Sequence, residues 1–210
     1  MNHQSLTEEQ FLFLEQINEE YRKGFLALNS LNHDSVTFYG GARIPENTLL
    51  YKEIVQIAKY FGKNNWAVIS GGGPGAMKAS LLGGEKVNSQ TLALNINIKH
   101  EETKSIADTS LLFNNFSVRK YMLRQSDILI FVPGGIGTLD ELVENLTLVS
   151  THKITPKIII LFKISFWQKF IDYINDLITQ KLIDPNILNY VKMADTLGEI
   201  HEICRLTQDS

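Results

Sequence analysis

The chain has 210 residues, of which 44% are hydrophobic, and its formal net charge at pH 7 is -3. This length supports one substantial hydrophobic core, so we expect a single compact domain. The negative net charge and the scattered Lys and Arg residues exclude the basic stripe that is typical of nucleic-acid-binding proteins, so no nucleic-acid partner is expected.

The N-terminal segment predicts a long amphipathic helix that precedes the main fold. Residues 1–10 lack the basic flank and the apolar segment of a signal peptide. Ser5-Leu6-Thr7-Glu8 has the pattern of a capping box, which places a helix over residues 5–29. Apolar side chains recur there at steps of three and four residues, at Phe11, Leu14, Ile17, Tyr21, Phe25 and Leu28. We therefore expect residues 1–34 to form a helical N-terminal extension.

Extended and helical patterns alternate after residue 34. The expected strands cover residues 36–39, 66–69, 91–98, 111–113, 128–132, 157–162 and 190–193. The expected helices cover residues 49–61, 76–82, 118–125, 139–150, 166–180 and 197–206. The strands are apolar on both faces, which is typical of a parallel sheet covered by helices on both sides. We therefore expect an α/β fold, a Rossmann-like doubly wound parallel sheet with helices on both faces and an added N-terminal helix. Residues 35–210 would form its nucleotide-binding domain.

Membrane spans, disulfides and metal clusters find no support in the sequence. The longest apolar runs, residues 128–132 and 158–162, are far shorter than the ~20 residues of a membrane-spanning helix. Cys204 is the single cysteine, which excludes an intramolecular disulfide and is typical of a reducing compartment. No two histidines have the spacing of metal ligands on a helix. We expect a cytoplasmic protein with no membrane partner, no metal and no cofactor.

Three glycine-rich segments follow predicted strands. They are Gly40-Gly41-Ala42, Gly71-Gly72-Gly73-Pro74-Gly75 and Gly134-Gly135-Ile136-Gly137. A single glycine turn is often only a tight connection. In doubly wound sheets, however, ligands bind at the carboxyl ends of the strands, and three glycine-rich segments on that one rim predict a binding site.

The third segment carries the strongest functional signal. It reads Pro133-Gly-Gly-Ile-Gly-Thr-Leu-Asp-Glu141 and lies between the strand at 128–132 and a predicted helix. Backbone N–H groups at a helix N-terminus have no helical partner and lie at the positive end of the helix dipole, so they bind phosphate. Thr138 adds a hydroxyl donor, and we expect Glu141 in the first helical turn, aimed back at the bound group. This arrangement indicates chemistry on a phosphorylated small molecule.

Two other nucleotide-binding motifs do not fit the sequence. A dinucleotide fingerprint requires an acidic residue about 20 positions after its glycines, whereas residues 92–97 read Leu-Ala-Leu-Asn-Ile-Asn. A P-loop requires Gly-Lys-Ser/Thr, which the sequence lacks.

A basic segment precedes the strand that leads to the third glycine segment. Arg119 and Lys120 are adjacent there, and adjacent side chains on a helix diverge by about 100°. They therefore cannot both face the core, and we expect Arg119 to point at the site. The alternative is a solvated basic helix face.

Ser150-Thr151-His152-Lys153 resembles the Ser-x-His-Lys segment whose lysine carries pyridoxal phosphate in some amino-acid decarboxylases. The resemblance is only four residues long. At the end of a predicted helix, His and Lys complement the helix dipole. We interpret the segment as a helix end.

Three motifs, taken as a set, resemble the signature of the Lonely Guy (LOG) family, formerly labelled possible lysine decarboxylases. They are Gly72-Gly-Pro-Gly-Ala-Met77, Arg119-Lys120 with Met122, and Pro-Gly-Gly-x-Gly-Thr-x-x-Glu over residues 133–141. The resemblance runs from about residue 36 to the C-terminus. The N-terminal helix is an addition to it, as in the longer, second type of the family.

The resemblance implies a phosphoribohydrolase, which cleaves the N-glycosidic bond of a nucleoside 5′-monophosphate to free base and ribose 5-phosphate. Family members act on cytokinin ribotides, and many also act on AMP. By motif, Arg119 and Glu141 would be the catalytic pair, and the family implies a homodimer with sites near the subunit interface. The candidate substrate-binding residues are Gly40, Gly41, Gly72, Gly73, Gly75, Lys120, Met122, Pro133, Gly134, Gly135, Ile136, Gly137 and Thr138.

A second hypothesis is a nucleotide or cofactor carrier that uses the same rim without cleaving its ligand. Ser117-Val118 stands where the best-characterised family members have His-Glu, and this departure leaves the alternative open. The sequence assigns no acid that would protonate the leaving base, and it does not name the base.

Overall fold

The structure, a computed structural model, describes residues 6–98 and 105–208. Its strands are β1 (Ser35–Tyr39), β2 (Ala67–Ser70), β3 (Thr91–Ile96), β4 (Thr109–Phe113), β5 (Ile128–Phe131), β6 (Ile158–Phe162) and β7 (Val191–Ala194). Its α-helices are α1 (Glu8–Asn29), α2 (Leu49–Lys63), α3 (Ala76–Glu85), α4 (Phe116–Leu123), α5 (Ile136–Ser150), α6 (Ile164–Thr179) and α7 (Leu197–Gln208). A 3₁₀ helix over Pro185–Tyr190, which the sequence did not predict, precedes β7. Each of the other elements corresponds to a predicted one, with several ends shifted by a few residues.

The strands form one parallel sheet in the order β4-β3-β2-β1-β5-β6-β7. From β1 the chain moves outward to β4, returns to pair β5 with β1, and then moves outward on the other side. Val36 of β1 is in register with Val68 of β2 and with Ile128 of β5. The predicted doubly wound α/β fold is confirmed.

Two hydrophobic clusters cover the two faces of the sheet. One contains side chains of α1, α4, α5 and α6 together with strand residues such as Leu94 and Leu129. The other contains side chains of α2, α3 and α7 with alternate strand residues such as Phe38 and Ile130. Because strand side chains alternate between faces, the continuous apolar runs supply both clusters.

The N-terminal helix begins later than predicted. Thr7 is the N-cap of α1, accepting from the N–H of Gln10 at 3.2 Å, while the Gln10 side chain accepts from the N–H of Thr7 at 3.0 Å. The capping box therefore spans residues 7–10 and not 5–8, because Thr and Gln supply the same reciprocal bonds. Ser5 itself lies outside the described residues.

The C-terminal half of α1 packs on α4. Glu20, which is 6% exposed, accepts hydrogen bonds from the N–H groups of Asn114 and Asn115 at 2.8 and 3.2 Å, at the start of α4. Gly24 faces Met122, and a methyl group on Gly24 would meet its side chain. Within the described residues, no helix has both the length and the apolar character needed to cross a bilayer.

Candidate functional site

A cavity of about 750 Å³ opens at the carboxyl edge of the sheet, where the chain reverses direction between β1 and β5. This reversal is the usual ligand site in doubly wound folds. The three glycine segments follow β2, β1 and β5, which are neighbours in the sheet, so they meet at one rim as predicted. The lining includes Gly40, Gly41, Gly71, Gly73, Pro133, Gly134, Gly135, Gly137, Thr138, Arg119 and Glu141.

The glycine segments are bonded to one another through the backbone. The N–H of Gly41 donates to Pro133 O at 3.0 Å, and the N–H of Ala76 donates to Gly41 O at 3.0 Å. Gly75 has a φ of 64°, and a Cβ there would collide with Gly41 O. Glycine is therefore required at this position both by its dihedral angle and by the close approach of the neighbouring loop.

The N-terminus of α5 lies on the cavity rim. Gly135 is the N-cap residue and Ile136 begins the helix, so the last glycine and Thr138 belong to its first turn. Among the described residues, the N–H groups of residues 134–137 have no hydrogen-bond acceptor. A Cβ at Gly135 or Gly137 would have no described atom within 4 Å. Free N–H donors at the positive end of a helix dipole are the features of a candidate anion site.

Glu141 lies in the second turn of α5 and not in the first, because the helix starts three residues earlier than predicted. Glycine is unfavourable in helices, which led the sequence pattern to place the start after the glycines. This position in the second turn also affects the electrostatics at Glu141. Since the helix dipole acts mainly on the first turn, it contributes little there.

Glu141 is almost enclosed although it borders the cavity. Glu141 is 7% exposed, and its Oε2 atom has no hydrogen-bond partner in the described part of the chain. Burial raises the pKa of Glu141 from 4.5 to about 7, against the opposing charges of Arg119 and Lys120. A carboxyl group with this pKa exchanges its proton near neutral pH, as general acids and bases require.

Arg119 lines the same cavity and is carried by α4. Its Nε atom donates to Leu94 O at 2.6 Å and its Nη2 atom to Gly71 O at 3.4 Å. A Cβ on Gly71 would collide with Nη2, so this glycine leaves room for the guanidinium group. Burial lowers the pKa of Arg119, and the negative charge of Glu141 opposes that effect. The guanidinium stays protonated and supplies a fixed positive charge.

The adjacent cation, Lys120, is not part of the cavity lining. Its Nζ atom pairs with Asp140 at 2.8 Å and also with Glu144, which pairs with Arg124 at 2.7 Å. These ion pairs connect α4 to α5 and thereby fix the spacing of the helices that carry Arg119 and Glu141.

The chain is similar to a known protein family and to several solved structures. Residues 68–204 match the protein family described as "Possible lysine decarboxylase". The chain belongs to this family, the LOG family. No curated protein matches the sequence of this LOG-family chain.

Several solved structures share the fold of the LOG-family chain. The X-ray structure of TM1055 is 20% identical with a TM-score of 0.62, covering 83% of this chain and 99% of its own. The molybdenum cofactor carrier protein of Chlamydomonas reinhardtii is 15% identical with a TM-score of 0.61, covering 85% and 100%. The molybdenum cofactor binding protein of Rippkaea orientalis is 20% identical with a TM-score of 0.56, covering 82% and 94%.

Five candidate binding residues of the LOG-family chain lie outside the cavity lining, and the first is Lys120, described above. Met122 is fully buried and fills the space beside Gly24, so it packs α4 against α1. Gly72 faces the Asn95 side chain, and Gly75 packs on the loop after β1. Ile136 is 82% exposed on the rim.

Other lining residues were missed from the sequence. Tyr39 ends β1 directly before the glycines and lines the cavity. Its position next to Gly40 is the sequence feature that could have indicated this. Met77, Ile96, Ile98 and Phe116 add an apolar wall. These four come from α3, β3, its following loop and α4, and nothing in the local sequence marks them as neighbours.

Proposed function

We propose that the chain hydrolyses the N-glycosidic bond of a nucleoside 5′-monophosphate, such as AMP or a cytokinin ribotide, to free base and ribose 5-phosphate. The observation that carries this proposal is Glu141, a nearly enclosed carboxyl group with a pKa of about 7, beside the same cavity as the free N–H groups of residues 134–137. Membership of the LOG family supports the same class of reaction.

The phosphate of the substrate would bind at the N-terminus of α5. The free N–H groups at Gly135 and Gly137 donate to its oxygens, with the Thr138 hydroxyl beside them. Because this contact is remote from the scissile bond, it holds the ribose in place during the reaction. The apolar side chains of Met77, Ile96 and Phe116 offer a surface for the base.

Glu141 and Arg119 would act on the sugar. Cleavage of an N-glycosidic bond develops positive charge at the anomeric carbon, so the ionised carboxylate of Glu141 stabilises the transition state. Either that carboxylate accepts a proton from the attacking water, or it bonds to the anomeric carbon first and water then releases the sugar. In both routes the bond to the base breaks and the departing base nitrogen takes a proton from solvent water. The proton that the attacking water loses returns to the solvent. Arg119 would bind the ribose hydroxyls or the phosphate.

The assay incubates purified protein with AMP and with isopentenyladenosine monophosphate and follows the free base by chromatography. The expected product is free base with one equivalent of ribose 5-phosphate. Glu141→Gln should lower kcat by at least ~100-fold, since it removes a charge aimed at the reacting carbon. Glu202→Gln is the matched control, because Glu202 lies on the exposed face of α7 in a pair with Arg205. Release of no base from any nucleoside monophosphate would refute the proposal.

A carrier of an intact nucleotide or cofactor is the second candidate function. The structural likeness to molybdenum cofactor carrier proteins and the open cavity of about 750 Å³ favour it. The same incubation separates the two functions. A carrier retains its ligand unchanged through gel filtration, whereas a hydrolase yields base and sugar phosphate.

We further propose that the protein is a cytoplasmic homodimer that needs no cofactor. It would belong to the longer second type of the family, with residues 1–34 as an extension of the nucleotide-binding domain. Exposed apolar side chains on α1 support a subunit contact there; they are Phe11, Leu12, Phe13 and Leu14, each between 44% and 60% exposed. Such a surface on a single chain is typical of an interaction site. Light scattering after gel filtration should give twice the 23.8 kDa mass of one chain; a monomeric mass would contradict the dimer.

A further inference from the structure

The guanidinium group of Arg119 is bonded to the protein along one edge. Its Nε atom donates to Leu94 O at 2.6 Å, and its Nη2 atom donates to Gly71 O at 3.4 Å. The N–H of Nε and one N–H of Nη2 share an edge of the planar group, so these two backbone carbonyls occupy that edge. Both carbonyls are neutral, and no carboxylate among the described residues lies within ion-pair distance of Arg119.

The other end of the guanidinium group is open to the cavity. Nη1 has no hydrogen-bond acceptor in the described part of the chain, and it is not one of the enclosed polar atoms. Because Arg119 lines the cavity, Nη1 is the part of its side chain that a ligand can reach. Its N–H groups and the second N–H of Nη2 are suited to oxygen atoms that carry negative charge.

Gly71 makes this orientation of the guanidinium group possible. A Cβ built on Gly71 would collide with Nη2 and would lie 3.3 Å from Cζ of Arg119. The guanidinium is the free end of a long side chain, so it would move and lose its bond to Leu94 O. Gly71 is not one of the glycines with positive φ, which are Gly72 and Gly75. Its backbone therefore accepts alanine, and the missing side chain matters for space.

We propose that Gly71 is a positioning residue for Arg119. Its carbonyl and that of Leu94 hold the Nε edge, and the absence of a side chain at Gly71 leaves the guanidinium in place, with Nη1 directed at an oxygen atom of the bound nucleotide. The nucleotide as ligand rests on the proposed function, whereas the orientation of Arg119 does not.

Gly73 offers a matched comparison in the same loop. A Cβ on Gly73 would meet the Met77 side chain at 2.6 Å, and a Cβ on Gly71 would meet it at 2.7 Å. At Gly73 no other described side chain lies within 4 Å of that Cβ, whereas at Gly71 the guanidinium of Arg119 does. The two alanine variants therefore both disturb Met77 and differ in their contact with Arg119.

The first experiment observes the Nε–H group of Arg119 by ¹H–¹⁵N NMR in the protein without ligand. Arg119→Lys assigns the signal by its disappearance. In the wild type this N–H should exchange with water at least ~10-fold more slowly than that of Arg43, which is exposed and has no hydrogen bond among the described residues. Gly71→Ala should shift the signal and remove this protection, whereas Gly73→Ala should preserve both.

The second experiment measures AMP binding by calorimetry in proteins that carry Glu141→Gln, so that no turnover occurs. Gly71→Ala should weaken binding by ~10-fold, as expected for the loss of a hydrogen bond from a charged group. In protein that also carries Arg119→Ala, the added methyl group has no guanidinium to displace and should have no further effect. A purely structural role of Gly71 would give the same loss of affinity in both backgrounds.

Loss of protection in Gly71→Ala alone, with an affinity loss that requires Arg119, supports the proposal. Fast exchange of the Nε–H in the wild type, equal changes in both alanine variants, or an affinity loss that is independent of Arg119 overturns it. If Gly71→Ala does not fold, the proposal requires that Arg119→Ala restores its folding. If AMP binds to none of the proteins, the proposed hydrolysis fails, and the NMR comparison alone decides the role of Gly71.

Discussion

Replacing Glu141 by glutamine should stabilise the fold in a pH-dependent way while removing the proposed activity. The carboxyl group ionises near pH 4.5 in the unfolded chain and near 7 in the folded protein, because burial disfavours its charged form. Between these values the folded state holds the extra proton, so the free energy of unfolding decreases as the pH rises. Above about pH 7 the whole penalty is present, and below about 4.5 it is absent.

The magnitude follows from the difference between the two pKa values. Going from 4.5 to about 7 at ~1.4 kcal/mol per pH unit gives about 3 kcal/mol. Glu141→Gln carries no charge at any pH and avoids this penalty. The variant should therefore exceed the wild type in free energy of unfolding by about 3 kcal/mol at pH 8.5 and by little at pH 4.5.

Urea unfolding followed by circular dichroism at both pH values measures this difference. Glu144→Gln is the contrasting control from the same helix, because Glu144 pairs with Lys120 and with Arg124. Its loss leaves two partly buried cations without that partner and should destabilise the protein by about 1–3 kcal/mol at pH 8.5. If Glu141→Gln and the wild type differ by the same amount at pH 4.5 and pH 8.5, the account of Glu141 as a buried, destabilised carboxylate is wrong.

Two further predictions concern the backbone of the rim and the attachment of α1. Gly75→Ala should lower the free energy of unfolding by ~3 kcal/mol or more, because of its positive φ and the collision with Gly41 O. Gly137→Ala, in open space within a helix, should raise the free energy of unfolding by up to about 1 kcal/mol. Thermal unfolding of both variants measures these effects, and equal effects would contradict the prediction. Glu20→Ala should destabilise the protein by about 2–3 kcal/mol, because the N–H groups at the start of α4 lose their acceptor. Hydrogen exchange at the amide of Asn115 measures this effect, and an unchanged exchange rate would show that the contact contributes nothing.

The sequence predicted the fold well because its strongest signals are local. Apolar runs bounded by glycine define β1, β2 and β5, and the alternation with amphipathic helices defines a doubly wound sheet. The shared rim followed from a general property of such sheets, that the carboxyl ends of the strands lie at one edge. Membership of the LOG family was also readable from the motif set at residues 72–77, 119–122 and 133–141.

The environment of the site residues was not readable in this way, since it depends on contacts between distant segments. The sequence separates Tyr39 from Glu141 by about half of the chain, yet both line the cavity in a fold where β1 pairs with β5. Met122 belongs to the family motif, yet it packs against Gly24 of an added helix. The predicted start of α5 was three residues too late because glycine has a low helix propensity, yet Gly137 lies inside the helix.

Several features that destabilise this fold border the cavity. An enclosed carboxyl group, an unpaired phenol and a helix N-terminus with free N–H groups all border the same space, and two glycines with positive φ shape the loop after β2. The strands β1, β2, β3 and β5, in contrast, are buried at every position. Trp167 bonds its indole N–H to the carbonyls of Phe131 and Phe162 at the ends of β5 and β6. A well-packed sheet thus holds unsatisfied groups in fixed positions. In the proposed function, an anionic sugar ligand would place its phosphate on the free N–H donors and its developing positive charge near the carboxylate.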